Sequence, residues 1–123
     1  MTTADVQRTL GLAVGAPVSQ VTGPVTVCTY TGAGTAPSTV LVRFATGSTA
    51  GSFAAAKAAF AGHQEPTSDV AGLGKAAYSS TLSTGGLVQN TIVVLQGSTE
   101  LLISAPAPLS QVETLARQVL PSL

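Results

Sequence analysis

Alternating apolar and polar positions predict that much of this chain forms β-strands. Residues 25–31 and 39–46 both show the period of two that is typical of half-buried strands. In the first stretch Val25 and Val27 face one side, and the intervening residues face the other. The second stretch separates Val40, Val42 and Phe44 from Leu41, Arg43 and Ala45. A loop of about seven residues between the two stretches predicts an antiparallel hairpin.

Three more strands are predicted in the C-terminal half, at residues 75–82, 87–96 and 99–104. The Gln96-Gly97-Ser98 sequence between the last two is a signal for a tight hairpin. The Gly72-Leu73-Gly74 sequence predicts a turn with Leu73 tucked into the core. Residues 12–24 contain two glycines and two prolines. They predict an extended loop with room for a short strand around Val18 to Val21.

Apolar side chains three and four residues apart predict helices. The first helix is short, with Val6 and Leu10 on one face and Thr2 or Thr3 as its cap. The second begins near Ser48 or Ser52, is rich in alanine and ends at Gly62. Its apolar stripe consists of Phe53, Ala56 and Phe60, and Lys57 is expected to point to water.

A third helix is predicted at the C-terminus, with Ser110 as its N-cap. Glu113 follows Ser110 at the spacing of a capping box, and Pro121 stops the helix. Its apolar face consists of Val112, Leu115, Ala116, Val119 and Leu120.

The order of predicted elements, α-β-β-α-β-β-β-α, indicates the fold class. Strands joined by short hairpins pair antiparallel, and amphipathic helices need a sheet face to cover. We therefore expect one α+β domain over residues 1–123, built as a two-layer sandwich. In it, three helices lie on one face of a roughly five-stranded antiparallel sheet, and the other face is wet or used in contacts.

The scarcity of charge excludes several function classes. Only 8% of the 123 residues are charged, and five bases cancel five acids. A typical soluble domain has about 25%. No basic surface is available for nucleic acid, and no acidic cluster for a hard cation. We expect no cofactor and no metal, because one His, one Cys and scattered acids show no ligand spacing.

An enzymatic function of this chain would depend on His63 and Cys28. His63 is the chain's single imidazole and follows a predicted helix end, with Glu65 and Asp69 nearby in sequence. Nucleophilic catalysis needs a base, an orienting carboxylate and a nucleophile, and no Gly-x-Ser-x-Gly elbow is present. Cys28 lies in the middle of a predicted strand, where it is expected to be a small core residue. A small hydrolase using His63 with Cys28 or a serine is the less favoured alternative.

Three side chains are candidates for ligand binding: Tyr30, Arg43 and Tyr78. Tyrosines on different strands of one sheet can stack a ligand on its open face, although core packing with the hydroxyl at the edge is the favoured explanation. Arg43 is a lone charge within an apolar strand. It either faces solvent, pairs with an acid such as Glu100, or binds an anion.

Four short sequences resemble small secreted or lipid-anchored domains of actinobacteria, most of them of unknown function. They are Cys28-Thr29-Tyr30, the alanine-rich helix Phe53 to Phe60, Val70-Ala-Gly-Leu-Gly-Lys-Ala-Ala-Tyr78 and Leu115-Ala-Arg-Gln-Val-Leu120. The resemblance implies an α+β fold, a location outside the cytoplasm and no catalytic residues. The group often has Asp at the position of Lys75 and a second cysteine near the first helix, and this chain has neither. The start of the chain shows no signal-peptide pattern, so a cytoplasmic location stays open.

We therefore expect a non-enzymatic, extracytoplasmic, sensor-like binding domain that uses shape and apolar contact. Its partner would be an unknown protein or an apolar small molecule, with no nucleic acid and no membrane span. The alternative is a structural homodimerisation module, in which the sheet pairs with its copy.

Overall fold

The protein, described by a computed structural model over residues 3–10, 15, 17–31, 39–62, 67–70, 72–84 and 87–120, is built on one antiparallel sheet. The strands are β1 (Val18–Thr22), β2 (Val25–Thr31), β3 (Thr39–Thr46), β4 (Thr67–Asp69), β5 (Ala76–Thr84), β6 (Leu87–Gln96) and β7 (Thr99–Ala105). The helices are α1 (Thr3–Leu10), α2 (Ala50–Gly62) and α3 (Leu109–Val119). The predicted α+β class is therefore confirmed.

The sheet has seven strands in the order β1-β2-β3-β7-β6-β5-β4, so the prediction of about five was wrong. The two additional strands are its edges. β1 occupies the segment that was predicted as a loop with room for a strand. β4 consists of Thr67, Ser68 and Asp69, which show no apolar alternation. It is a strand because it pairs with β5, with Asp69 opposite Tyr78.

One face of the sheet, here called the first face, is covered by α1 and α3. Its buried residues form a continuous aliphatic core with the inner sides of both helices. The strand residues of this core include Tyr30, Val40, Val42, Ile92, Val94, Leu101 and Ile103. Leu73 is buried in it as predicted, between two glycines with positive φ. A Cβ on Gly74 would lie 2.8 Å from the Leu95 carbonyl oxygen, which explains why glycine is needed there.

The opposite face, the second face, carries α2, so the prediction of three helices on one face was wrong. Phe53 of α2 packs with Tyr78, Val93, Leu95 and Leu102 in a separate apolar cluster. The physical reason lies in β6, where Ile92 and Val94 point to the first face and Val93 and Leu95 to the second. All four are buried, so both faces of this strand need a cover.

The second helix ends at Gly62 as predicted, but the starts of the second and third helices differ from the predicted ones by about two residues. The second helix begins after Thr49, whose backbone N–H and side chain exchange hydrogen bonds with Ser52. The third begins at Leu109 with Pro108 as N-cap and no side-chain cap, so Ser110 lies inside the helix. Lys57 was predicted to point to water, but its ammonium group pairs with Asp69.

Candidate functional site

An ion pair lies on the second face, where β3 and β7 run side by side. Arg43 is opposite Leu102, and Glu100 is opposite Ala45. The Arg43 Nη2 atom donates to Glu100 Oε1 over 3.0 Å. The Glu100 side chain is only 7% exposed and that of Arg43 is 37% exposed. The pairing of Arg43 with Glu100, one of the outcomes predicted for this arginine, is thus confirmed.

Tyr78 is buried on the same face, and the charges of both members of this ion pair act on its phenol group. The pKa of Tyr78 is raised to about 12, chiefly by burial and also by the negative charge of Glu100, while the positive charge of Arg43 lowers it. The Tyr78 ring meets the Phe53 ring edge-on, with centroids 5.1 Å apart. Tyr78 is therefore a neutral phenol below α2, held in an apolar setting beside two charges.

Tyr30 is separated from the other two predicted binding residues. It lies on the first face opposite Val40, and it is buried among aliphatic side chains. The structure therefore brings Arg43 and Tyr78 to one face of the sheet and places Tyr30 on the other. A single pocket that uses both tyrosines is incompatible with this arrangement.

The second face is only partly covered: the apolar side chains that cluster with Phe53 of α2 belong to β5, β6 and β7, and Lys57 of α2 pairs with Asp69 of β4. Next to this cluster lie six half-buried side chains of β2 and β3, of which Leu41 packs against the cluster. This group, here called the open patch, consists of Val25, Val27, Thr29, Leu41, Arg43 and Ala45. Beyond it, the residues of β1 on this face are exposed. The open patch is mainly aliphatic, with one guanidinium at its border with α2.

A row of hydroxyl side chains lies across four strands of the second face, and the sequence analysis did not predict it. The strand registers place four of them next to one another on β4, β5, β6 and β7: Thr67, Ser80, Thr91 and Ser104. Thr91 Oγ1 lies 3.0 Å from Ser104 Oγ, which also accepts a hydrogen bond from Gln89 Nε2 over 3.0 Å. Leu41 of the open patch is opposite Ser104, so the open patch adjoins the end of this row. This adjacency depends on register, which the pattern of a single strand does not contain.

Of the two named residues of the predicted hydrolase, Cys28 lies within the described residues and His63 lies outside them. Cys28 is half-buried on the first face, where its Sγ contacts Ser19 Oγ at 3.9 Å. It packs against the aliphatic core, as predicted for a small core residue. His63 and Glu65 lie outside the described residues. Within the described ranges, no group of three or more His, Cys, Asp or Glu side chains could hold a metal ion.

Of the helices in the described part of the chain, none has the length and apolar character needed to cross a membrane. Comparisons with protein-family models, curated proteins and solved structures gave no match to this chain. The family and function implied by the resemblance therefore stay predictions.

Proposed function

We propose that the protein is a non-enzymatic binding domain whose contact surface is the open patch. The observation that carries this proposal is the partial cover of the second face. The residues Val25, Val27 and Leu41 are half-buried, so they keep aliphatic surface in contact with water beside a helix that covers another part of that face. Grouped apolar surface that is left uncovered is typical of interaction sites.

The chemistry of the open patch favours an apolar partner. Its one charged group, Arg43, already donates to Glu100, which balances the charge. A ligand or protein side chain on the patch would gain mainly by removing aliphatic surface from water. Tyr78 is not suited to proton transfer near neutral pH, because its pKa is raised to about 12 and its phenol stays protonated. We therefore infer an apolar small molecule, or apolar side chains of a protein, as the partner.

The location outside the cytoplasm is part of the same proposal. It is supported by the resemblance to secreted and lipid-anchored actinobacterial domains and by a surface in which Ser and Thr replace charges. Fractionation of cells that produce the native protein tests the location directly. Recovery from the cytoplasmic fraction alone would contradict it.

The binding proposal can be tested by NMR titration with 1-anilinonaphthalene-8-sulfonate and with a set of neutral aromatic fragments. We expect chemical-shift changes at Val27 and Leu41, and weaker binding by Val27→Thr. Val88→Thr is the matched control, because Val88 is an exposed valine on a strand of the same sheet but on the first face. Shift changes that avoid the open patch, or equal effects of the two variants, would refute the proposed surface.

The same protein samples serve to examine the predicted hydrolase. Incubation with p-nitrophenyl acetate should give no turnover above that of the buffer. Turnover that disappears in both His63→Ala and Cys28→Ser would replace the binding proposal with the enzyme alternative.

A further inference from the structure

The two edges of the sheet differ in how well they are protected against pairing with another strand. β4 has three residues, and the ion pair between Asp69 and Lys57 of α2 lies against it. β1 has five residues, all of them exposed and none of them charged. Its two valines, Val18 and Val21, are 64% and 70% exposed. Short length and charge are the usual means of blocking an edge strand, and β1 lacks both.

The hydrogen-bond pattern shows which backbone groups of β1 are available. The Thr46 N–H donates to the Pro24 carbonyl, so β2 bonds to β3 through its even-numbered residues. The odd-numbered residues of β2 therefore bond to β1, where their partners are Val18, Gln20 and Thr22. It follows that Ser19 and Val21 direct their backbone N–H and C=O groups to the free edge.

We propose that β1 pairs antiparallel with β1 of a second copy of this chain, about a two-fold axis at Gln20. In this register Ser19 of each copy is opposite Val21 of the other, so their edge-directed donors and acceptors meet in four hydrogen bonds. Val18 faces Thr22, and the two Gln20 amides face each other. The two sheets would then join into one, with both open patches on the same side.

The sequence of β1 favours this register over its neighbours. A shift that centres the pair on Ser19 would place Val21 opposite Pro17, which has no N–H to donate. A shift that centres it on Val21 would place Ser19 opposite Gly23 in the turn. Only pairing about Gln20 uses all the edge-directed groups of Ser19 and Val21.

The charge of the chain favours a second copy as the partner that pairs with β1. Its net charge is zero, so two copies do not repel each other over distance. β1 itself offers no charge by which it would select a charged peptide. A five-residue strand pair is smaller than the roughly 1,200 Å² of a standard interface, so we expect a dissociation constant of the order of 100 μM.

Sedimentation velocity from about 10 μM to about 1 mM, a range that brackets this constant, tests the proposal. The 12.1 kDa chain should approach twice its mass at the upper end. Ser19→Pro removes one edge-directed N–H that pairs with no described residue of the monomer, and it should weaken association at least tenfold. Ser19→Ala is the control, because it keeps the N–H and should associate like the unaltered chain.

Cross-linking tests the register. In a Cys28→Ser background, Gln20→Cys places two thiols opposite each other at a position without hydrogen bonds between the copies, a distance that a disulfide can span. Val18→Cys is equally exposed but lies opposite Thr22, so it should cross-link much less under mild oxidation. Non-reducing mass spectrometry reads out both variants.

A chain that remains monomeric at about 1 mM would overturn the proposal, as would equal association of Ser19→Pro and Ser19→Ala. A dimer in which Val18→Cys cross-links as well as Gln20→Cys would overturn the register. These readouts do not involve the aromatic probes, so failure here is distinct from failure of the open patch as a binding surface.

Discussion

The two faces of the sheet differ in their cover and in the chemistry of their side chains. The first face is closed by two helices, and its strand residues Val94, Leu101 and Ile103 are fully buried. The second face has one helix over part of its width, and beside that helix lie the Arg43–Glu100 pair and Tyr78. The comparison indicates that the first face supplies most of the stability of the fold, and the surface that we propose for binding lies on the second face.

Polar groups on the two faces also have different roles. Asn90, on the first face, is buried, accepts a hydrogen bond from Thr81 and donates one to the Ala107 carbonyl. These bonds fix the chain between β7 and α3, so they serve the packing of the helix layer. On the second face, the Arg43 side chain belongs to the open patch and stays partly exposed, although it pairs with the buried Glu100.

The largest effect is expected from removing side chains at two successive positions of β7. Leu101 points to the first face and is fully buried, whereas Leu102 points to the second and is 9% exposed. Leu101→Ala should lower the free energy of unfolding by about 3 to 4 kcal/mol. Leu102→Ala should lower it by only about 2 kcal/mol, because α2 can move to fill part of the cavity that this substitution leaves. Urea unfolding of both variants measures the difference.

The dependence of the unfolding free energy on urea concentration should be the same in both variants, since neither changes the surface exposed on unfolding. A larger loss for Leu102→Ala than for Leu101→Ala would reverse the assignment of stability to the first face.

Much of the fold could be predicted because each strand carries its own pattern. The alternation of Val40, Val42 and Phe44 with their neighbours assigned the two sides of β3 correctly. β4 could not be found in this way, since Thr67-Ser68-Asp69 is a strand only through its pairing with β5. The placement of α2 was missed because β6 is apolar on both sides, and the sequence of a helix does not show which face of a sheet the helix covers.

The candidate site was predictable only where one residue was unusual by itself. Arg43 stood out as a charge within an apolar strand, and an acid was the natural partner for it. Tyr30 and Tyr78 looked equivalent, because the side that each faces depends on how separate strands align. The same dependence on register hid the hydroxyl row, whose members come from four strands.

A smaller effect is expected when the ion pair on the second face is dismantled. A double-mutant cycle with Arg43→Met and Glu100→Gln should give a coupling free energy of about 1 kcal/mol, because the partly exposed guanidinium is screened by water. The coupling should fall when salt is added. A coupling that is large and insensitive to salt would show that this part of the second face is as closed as the first.

The last effect, which is confined to alkaline pH, concerns the titration of Tyr78, whose pKa is raised from 10.0 to about 12 mainly by burial. In the unfolded chain the phenol ionises near pH 10, while in the folded chain it stays protonated up to about pH 12. The unfolded state therefore loses its proton first, and the stability contributed by Tyr78 is lost as the pH rises between these two values.

Absorbance of phenolate during an alkaline titration should show a step near pH 12. The step should be absent in Tyr78→Phe and present in Tyr30→Phe, the matched control from the first face. If Tyr78 ionised near pH 10, water would reach its hydroxyl beneath α2. The second face would then be open well beyond β2 and β3, and the limits of the open patch would have to be redrawn.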